Sequence, residues 1–550
     1  MAEFFGGPRA PSRHGYSIAG WRAPSPLTLF STVLLLLLFA PAPQVSASAQ
    51  ATEGATGASA DKPAAQGTLS LLDALQLMLK KDPNVALARA SVETALGSLE
   101  VQQAGFDPLL TASVGGQDSE DPTSETEVLS VEAQSLSAGA SQLFRTGLSV
   151  SGSLDVTRTE TSPGASNVGT ISFTIRQPLA RGRGRDVTGA DERSAELSLE
   201  ASRLDLQHRI AERVLTVATQ YWSLVSAVAD LEILRENESR SRRSFENYRR
   251  LVEADQVPAA DLVQLEADVM SREVARLSAE QTVFERRQDL GFAIGLDAAA
   301  SSALGLPSDA FPTAGGTTDV DPTAPQLLDA ALRDRADMQA LDLRQQSAEV
   351  LLAAAENALL PRLDLVLTPS YTGFSADDDI SGVFNSLTDN IPSLSTTFGL
   401  SMSWPLRNRA AKGLLRQSEA SIRTRELQVT LLENSITNEV AIAADAVRSS
   451  AEQLDFAIRA VGLFERALDN EQKKLRASRS TLLDTITQRD RLTSAQQRQN
   501  SAEFALALAL IRLRFQTGTL FEMNGDDIVL EFDRLTTAPD AALTGAPSGR

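Results

Sequence analysis

The sequence predicts a mainly helical fold with a smaller β component, duplicated within one chain and closed by other copies of itself. Three observations predict it. Residues 190–257 contain neither glycine nor proline, enough for one unbroken helix of about 100 Å. A plan of helix, β region, very long helix and short helix occurs twice. The β regions alternate apolar with small polar residues, yet no separate set of apolar helices exists to cover a sheet.

The chain opens on a basic stretch, Arg9, Arg13 and Arg22 against Glu3, followed by an apolar run from Leu27 to Ala40. Ala47-Ser48-Ala49 then supplies an A-x-A site, so 1–49 reads as a secretory signal cut after Ala49. The 14-residue run is short of the roughly 20 residues that span a bilayer as a helix. Residues 50–67, small and polar with Pro63, read as a disordered spacer. No later segment offers 18 uninterrupted apolar residues, so the expected mature protein is exported without a transmembrane helix.

Composition narrows the function. At 550 residues the chain exceeds one compact core. A net charge of −20 argues against a surface that tracks phosphates, and so against nucleic acid. There is no cysteine, which removes disulfides, thiolate metal sites and cysteine nucleophiles. Of two histidines, His14 lies in the leader, leaving His208 alone in the mature chain. Neither a phosphate-binding G-x-x-x-x-G-K-[ST] loop nor a G-x-S-x-G elbow is present. The sequence therefore predicts no enzyme, no cofactor and no metal.

The first repeat is placed at 68–296. Leu71-Leu72-Asp73-Ala74-Leu75 opens its first helical stretch, which ends at Phe106-Asp107-Pro108. The second repeat, 326–520, opens with Leu327-Leu328-Asp329-Ala330-Ala331 and reaches Leu360-Pro361. β hairpins are expected at 109–177 and 362–405, closed by Gln177-Pro178-Leu179 and Trp404-Pro405-Leu406. Segment 297–325 reads as a linker or equatorial segment, and 521–550 as a C-terminal extension whose last residues, from Ala538, read as disordered.

Along the long helices, Ile210, Val214, Val217, Tyr221, Leu224, Val228 and Leu231 recur at spacings of four and three. Val429, Leu432, Ile436, Ala443, Leu454, Val461, Phe464, Leu468 and Leu475 repeat the pattern in the second half. Such a seam belongs to a left-handed coiled coil. A coiled-coil scaffold, secreted or periplasmic and without channel activity, explains the seam but not the β segments.

Those segments place Leu110, Ala112 and Val114 opposite Thr111, Ser113 and Gly115, and Ile171, Phe173 and Ile175 opposite Thr170, Ser172 and Thr174. Phe398, Leu400, Met402 and Trp404 alternate with Thr397, Gly399, Ser401 and Ser403. A half-buried soluble sheet or a transmembrane barrel both need this pattern. Export and the missing cover favour the barrel. About two strands per half cannot close one, so two, three or four chains must share it. Residues 116–143 are read as a further strand or a surface hairpin.

With the repeated order in view, the chain resembles TolC-type outer-membrane efflux proteins over nearly all of 68–520. The resemblance rests on Phe106-x-Pro108, Gln177-Pro178-Leu179-x-Arg181-Gly182 and Trp404-Pro405-Leu406-x-Asn408-Arg409 in both repeats. It implies a homotrimer with a 12-stranded transmembrane β-barrel in outer-membrane lipid, continued by a long periplasmic α-helical coiled-coil barrel. It also implies a passive conduit of a tripartite efflux or type I secretion system, fed by a periplasmic adaptor protein and an inner-membrane pump.

The resemblance assigns residues as well. Asp484 matches an aspartate that narrows the aperture, where three copies make an acidic ring favouring cations. Thr487 stands where some relatives carry a second aspartate. Asp261 is the corresponding acid of the first repeat. Asp255, Val257 and Pro258, with Ser478, Arg479 and Ser480, form the tips that dock the adaptor. Asp255 and Ser478 occupy places where relatives carry glycine. Thr481-x-x-Asp484 is also a helix-capping pattern, a second role for the same carboxylate. Pro178, Gly182, Gly184 and Pro405 mark strand-to-helix transitions, with glycine allowing the bend. The acidic run Asp377-Asp378-Asp379 reads as a solvated loop.

Overall fold

A computed structural model describes residues 67–124, 127–161, 164–256, 259–313, 325–376, 381–388, 393–477, 479–524 and 527–539. The chain divides at Asp61, and every described residue lies in the second unit, Lys62–Arg550. The leader, nearly all the spacer and Asp377–Asp379 lie outside the described residues.

Helix α1, Leu71–Lys81, starts with a capping box in which Ser70 and Asp73 satisfy each other's backbone N–H. Asp82 ends it and caps α2, Pro83–Ala104, where Pro83 fits the first turn because it has no N–H to lose. The buried Asp82 carboxylate is paired with Arg213. At the matching joint of the second repeat the charge is inverted. Arg335 separates α7, Pro325–Asp334, from α8, Ala336–Asn357, and binds Asp337 and Gln516.

A short turn of helix, α3 (Arg185–Thr188), leads into α4, Ala190–Glu253. Its counterpart is α10, Arg409–Arg476. Their 64 and 68 residues span about 96 and 102 Å at 1.5 Å each. Helix α5, Ala260–Ile294, folds back along α4, and α11, Leu482–Gln516, folds back along α10. Towards the start of α4 the helices lie side by side as α2–α4–α8–α10; towards its end the order is α5–α4–α11–α10. The seam residues Ile210, Val214, Val217, Tyr221 and Leu224 are buried in one core, with Ile436, Ala443 and Leu454 in a second.

Between the helix ends, α6 (Ala298–Ser302) packs on α5, and the following segment packs on α1 and α4. The Tyr221 hydroxyl lies 2.8 Å from the Asp309 carboxylate and 3.0 Å from the Leu69 carbonyl, and Phe311 stacks on Trp222. Burial is the larger cause of the raised Tyr221 pKa, with the Asp309 hydrogen bond next. After α11 come β7 (Glu522–Asn524), β8 (Asp527–Val529) and α12 (Phe532–Thr536). The expectation of disorder from Ala538 is corrected at that residue. Ala538 is buried in the second core, and its carbonyl accepts from Arg514.

The sheet departs from the expected two strands per half. It is a six-stranded antiparallel meander in chain order. Its strands are β1 (Leu109–Ser124), β2 (Glu127–Leu143), β3 (Ser149–Thr161), β4 (Gly164–Pro178), β5 (Arg362–Ser375) and β6 (Ser393–Ser403). The first repeat supplies four. Strand β2 was hard to see because Ala, Ser and Gly dilute its alternation.

Register makes the faces plain. One row across all six strands is Ala112, Ala138, Leu154, Ile171, Tyr371 and Leu394. The neighbouring row on the other face is Thr111, Gly139, Ser153, Ser172, Ser370 and Ser395. Hydroxyls bridge strands on that face, Ser113 to Ser137 at 2.7 Å and Ser370 to Ser395 at 2.7 Å. A short helix, α9 (Ser381–Thr388), lies on the apolar face over Gly169 and Gly373, where a Cβ on Gly169 would stand 2.5 Å from Leu387 Cδ2.

Candidate functional site

Two helix hairpins and one set of strand-to-helix bends hold the residues singled out above. At the first tip the chain leaves α4 through a tight C-terminal turn. The Gln256 N–H donates to the Leu251 carbonyl at 2.9 Å, and Asp255 sits at φ +52°. That is the left-handed conformation glycine normally takes, and aspartate is one of the few other residues that tolerate it. Val257 and Pro258 lie outside the described residues. Asp261, in the first turn of α5, accepts from the Tyr248 hydroxyl at 3.0 Å and so ties α5 to α4.

The second tip repeats the turn, with the Arg479 N–H donating to the Lys474 carbonyl at 2.9 Å. Ser478 lies outside the described residues. Thr481 caps α11. Its backbone N–H and hydroxyl both meet Asp484 Oδ2, at 3.1 and 2.6 Å, and the Asp484 N–H donates to Thr481 Oγ1 at 3.2 Å. Asp484 is exposed, and the Thr481 hydrogen bonds hold its carboxyl below the usual aspartate range. Ser480 bonds Glu471, anchoring the turn to α10 and, ahead of Lys474, lowering the Glu471 pKa. Thr487 is exposed and returns its hydroxyl to the Leu483 carbonyl, 2.9 Å away. Among the described residues no hydrogen bond or ion pair joins Asp261 to Asp484.

Sequence reasoning missed the junction behind the tips. Arg272 of α5 holds Asp268 at 2.7 Å and also binds Asp490 of α11. Ser241 of α4 donates to Asp268 at 2.5 Å, and Arg489 of α11 donates to Ser244 at 3.0 Å. The two hairpins are thereby locked to each other. Arg489 is buried, which lowers its pKa, and one of its terminal nitrogens has no protein partner. Arg272 and Asp268 stand at helix spacing i, i+4, but nothing local in the sequence points to Asp490.

At the other end of the helices, Pro178 ends β4 and the Leu179 N–H donates to the Leu363 carbonyl at 2.7 Å. Gly182 and Gly184 take φ +80° and +100°, values that favour glycine. Their N–H groups donate to Asn357 Oδ1 and the Thr146 carbonyl. Pro405 is exposed between β6 and Asn408, which itself has φ +40°. Arg145, in the β2–β3 turn, grips Glu192 of α4 with two 2.6 Å bonds.

Among the described residues no cluster of acids and histidine has metal-binding geometry. No described helix is long and apolar enough to cross a membrane.

Residues 327–519 match the family model described as outer membrane efflux protein. Three solved structures share the fold at low identity. The Campylobacter jejuni CmeC outer membrane channel is 15% identical with a TM-score of 0.59, covering 83% of this chain and 87% of that one. The outer membrane protein VceC of Vibrio cholerae is 16% identical with a TM-score of 0.59, over 82% of this chain and 96% of its own. The open state of the Neisseria gonorrhoeae MtrE outer membrane channel is 17% identical with a TM-score of 0.57, over 82% and 88%. No curated protein matches in sequence.

Proposed function

We propose that this chain is a TolC-type outer-membrane efflux protein and the outer-membrane channel of a tripartite export system, a reading supported by its fold and by the pattern of residues 327–519. The observation that carries the reading is a match of lateral edges. The sheet is open at β1 and β6, and the helical layer is open at α2 and α5 on one side and α10 on the other. Since α2 runs into β1 and β6 runs into α10, both layers end on the same two sides of the chain.

Apolar side chains crowd those sides. Leu87 and Val101 on α2, Val263 and Phe292 on α5, and Leu431 and Phe456 on α10 are exposed. Head-to-tail copies cover them and close a ring. A trimer is the closure the fold family favours, with the apolar sheet face in outer-membrane lipid and the hydroxyl face lining water. The fold family's twelve strands correspond to four per chain, fewer than the six in this sheet. The helices continue the wall across the periplasm.

The tips at Asp255–Pro258 and Ser478–Ser480 then face inward and dock the adaptor, through which an inner-membrane pump delivers cargo. Asp484 contributes an acidic ring at the aperture, with Thr487 one turn behind it, while Asp261 braces the first tip. The channel moves cargo without chemistry of its own. Purified protein in a planar bilayer should give discrete conductance steps; an electrically silent, water-soluble protein contradicts the reading.

A further inference from the structure

We infer that the β1–β2 hairpin is part of the barrel wall, so that each chain contributes six strands and neighbouring chains join by pairing β1 of one copy with β6 of the next. The inference rests on the channel reading above and concerns how that channel closes.

Strand β3 cannot be the joining edge. Every residue of β3, Ser149 to Thr161, is already paired with β2, so a neighbour finds no free backbone there. The edges left open are those of β1 and β6. In lipid each must be paired, because an unsatisfied backbone group costs several kcal/mol.

The hairpin also carries the chemistry of the wall. Val114, Leu136 and Val156 form one apolar row through β1, β2 and β3. On the other face the Ser113–Ser137 hydroxyl bridge continues the series made by Ser153–Ser172 and Ser370–Ser395. On the apolar face the charge begins within two adjacent rows: Arg158 stands opposite Gln134, and in the next row Asp118 stands opposite Glu132 and Glu132 opposite Glu160. A hairpin outside the wall has no reason to keep the same band and the same polar limit.

Both ends of the argument meet at the edges and at the base. Leu110 on β1 is 79% exposed, and Leu394 and Phe398 on β6 are 77% and 71% exposed, the apolar rows a neighbour would extend. Below the sheet, the β2–β3 turn is fastened to the helices by Arg145 on Glu192 and by the Gly184 N–H on the Thr146 carbonyl. Three chains of six strands give a barrel of eighteen. Since diameter grows roughly linearly with strand number, the mouth is about half again as wide as a twelve-stranded one. Its hydroxyl lining suits bulky polar cargo.

The chain has no cysteine, so engineered pairs report contacts cleanly. Ser113→Cys on β1 is combined in turn with Ser395→Cys, Thr397→Cys and Gly399→Cys on β6, and Ser151→Cys on β3 is combined with the same three. Ser113→Cys with Ser137→Cys is the control within one chain. After oxidation in outer membranes, at least one β1–β6 pair should convert most of the protein to covalent dimers and trimers, while no β3–β6 pair does so. Links from β3 to β6, or no β1–β6 link in an assembled trimer, overturn the inference and leave the channel reading standing. Loss of the trimer itself, with the control disulfide formed, overturns both.

Discussion

Asp484 and Thr481 satisfy each other's backbone across the first turn of α11, the Thr481 N–H meeting Asp484 Oδ2 at 3.1 Å and the Asp484 N–H meeting Thr481 Oγ1 at 3.2 Å. The carboxylate proposed for the aperture is therefore also the one that holds the helix start in place. Position and charge can be separated by substitution. Asp484→Ala should lower cation preference and, by widening the aperture, raise total conductance and antibiotic leakage several-fold. Thr481→Ala loosens the cap but keeps the charge, and should leave cation preference close to wild type. Equal loss of selectivity in both variants would reduce Asp484 to a cap.

The same hydrogen bonds set a pH dependence. Because the folded pKa of Asp484 is depressed, its contribution is complete above the unfolded aspartate value and is lost only as pH falls through the lower folded one. Reversal potentials should show constant cation preference from pH 8 to pH 5, with loss confined to more acidic solution. A midpoint near neutrality would assign the selectivity to another group.

Asp255 at φ +52° marks the first tip as a place where side-chain identity and backbone conformation conflict. Asp255→Gly should be tolerated. Asp255→Ala, which keeps a Cβ and loses the polar side chain, should weaken the turn by about 1 kcal/mol. Hydrogen exchange at Gln256, whose N–H closes the turn on Leu251, is the readout, and Ala should accelerate it where Gly does not.

Arg272 bridges Asp268 and Asp490 and so couples the two hairpins. Arg272→Ala should open the resting channel and sensitise cells to large antibiotics, without lowering trimer yield. Arg272→Lys should restore little, because one ammonium cannot reproduce a planar fork shared between two carboxylates. Unchanged resting conductance in Arg272→Ala would remove the junction from any gating role.

Legibility in the sequence followed the range of the interaction. The long helices α4 and α10 are written locally, in stretches almost free of glycine and proline with an apolar seam, and Tyr221 to Leu231 show it. The cap at Thr481 and Asp484 is equally local. Strand β2 was obscured because Ala133, Ala138, Gly139 and Ala140 carry little contrast between faces; only pairing with β1 and β3 gives them sides. The Arg272–Asp490 contact joins residues 218 apart, and each is an ordinary helix-surface charge until the fold brings them together. Tyr221 has the seam spacing and Trp222 lies beside it, yet their partners Asp309 and Phe311 lie in the segment read as a linker or equatorial stretch.

The central claim is that several copies share one membrane barrel, and the native mass of the protein extracted by detergent from purified outer membranes tests it most directly. The account predicts a species of three chains that is missing from the soluble fraction. A water-soluble monomer or dimer would contradict it, and would make the apolar face of the sheet an ordinary buried surface.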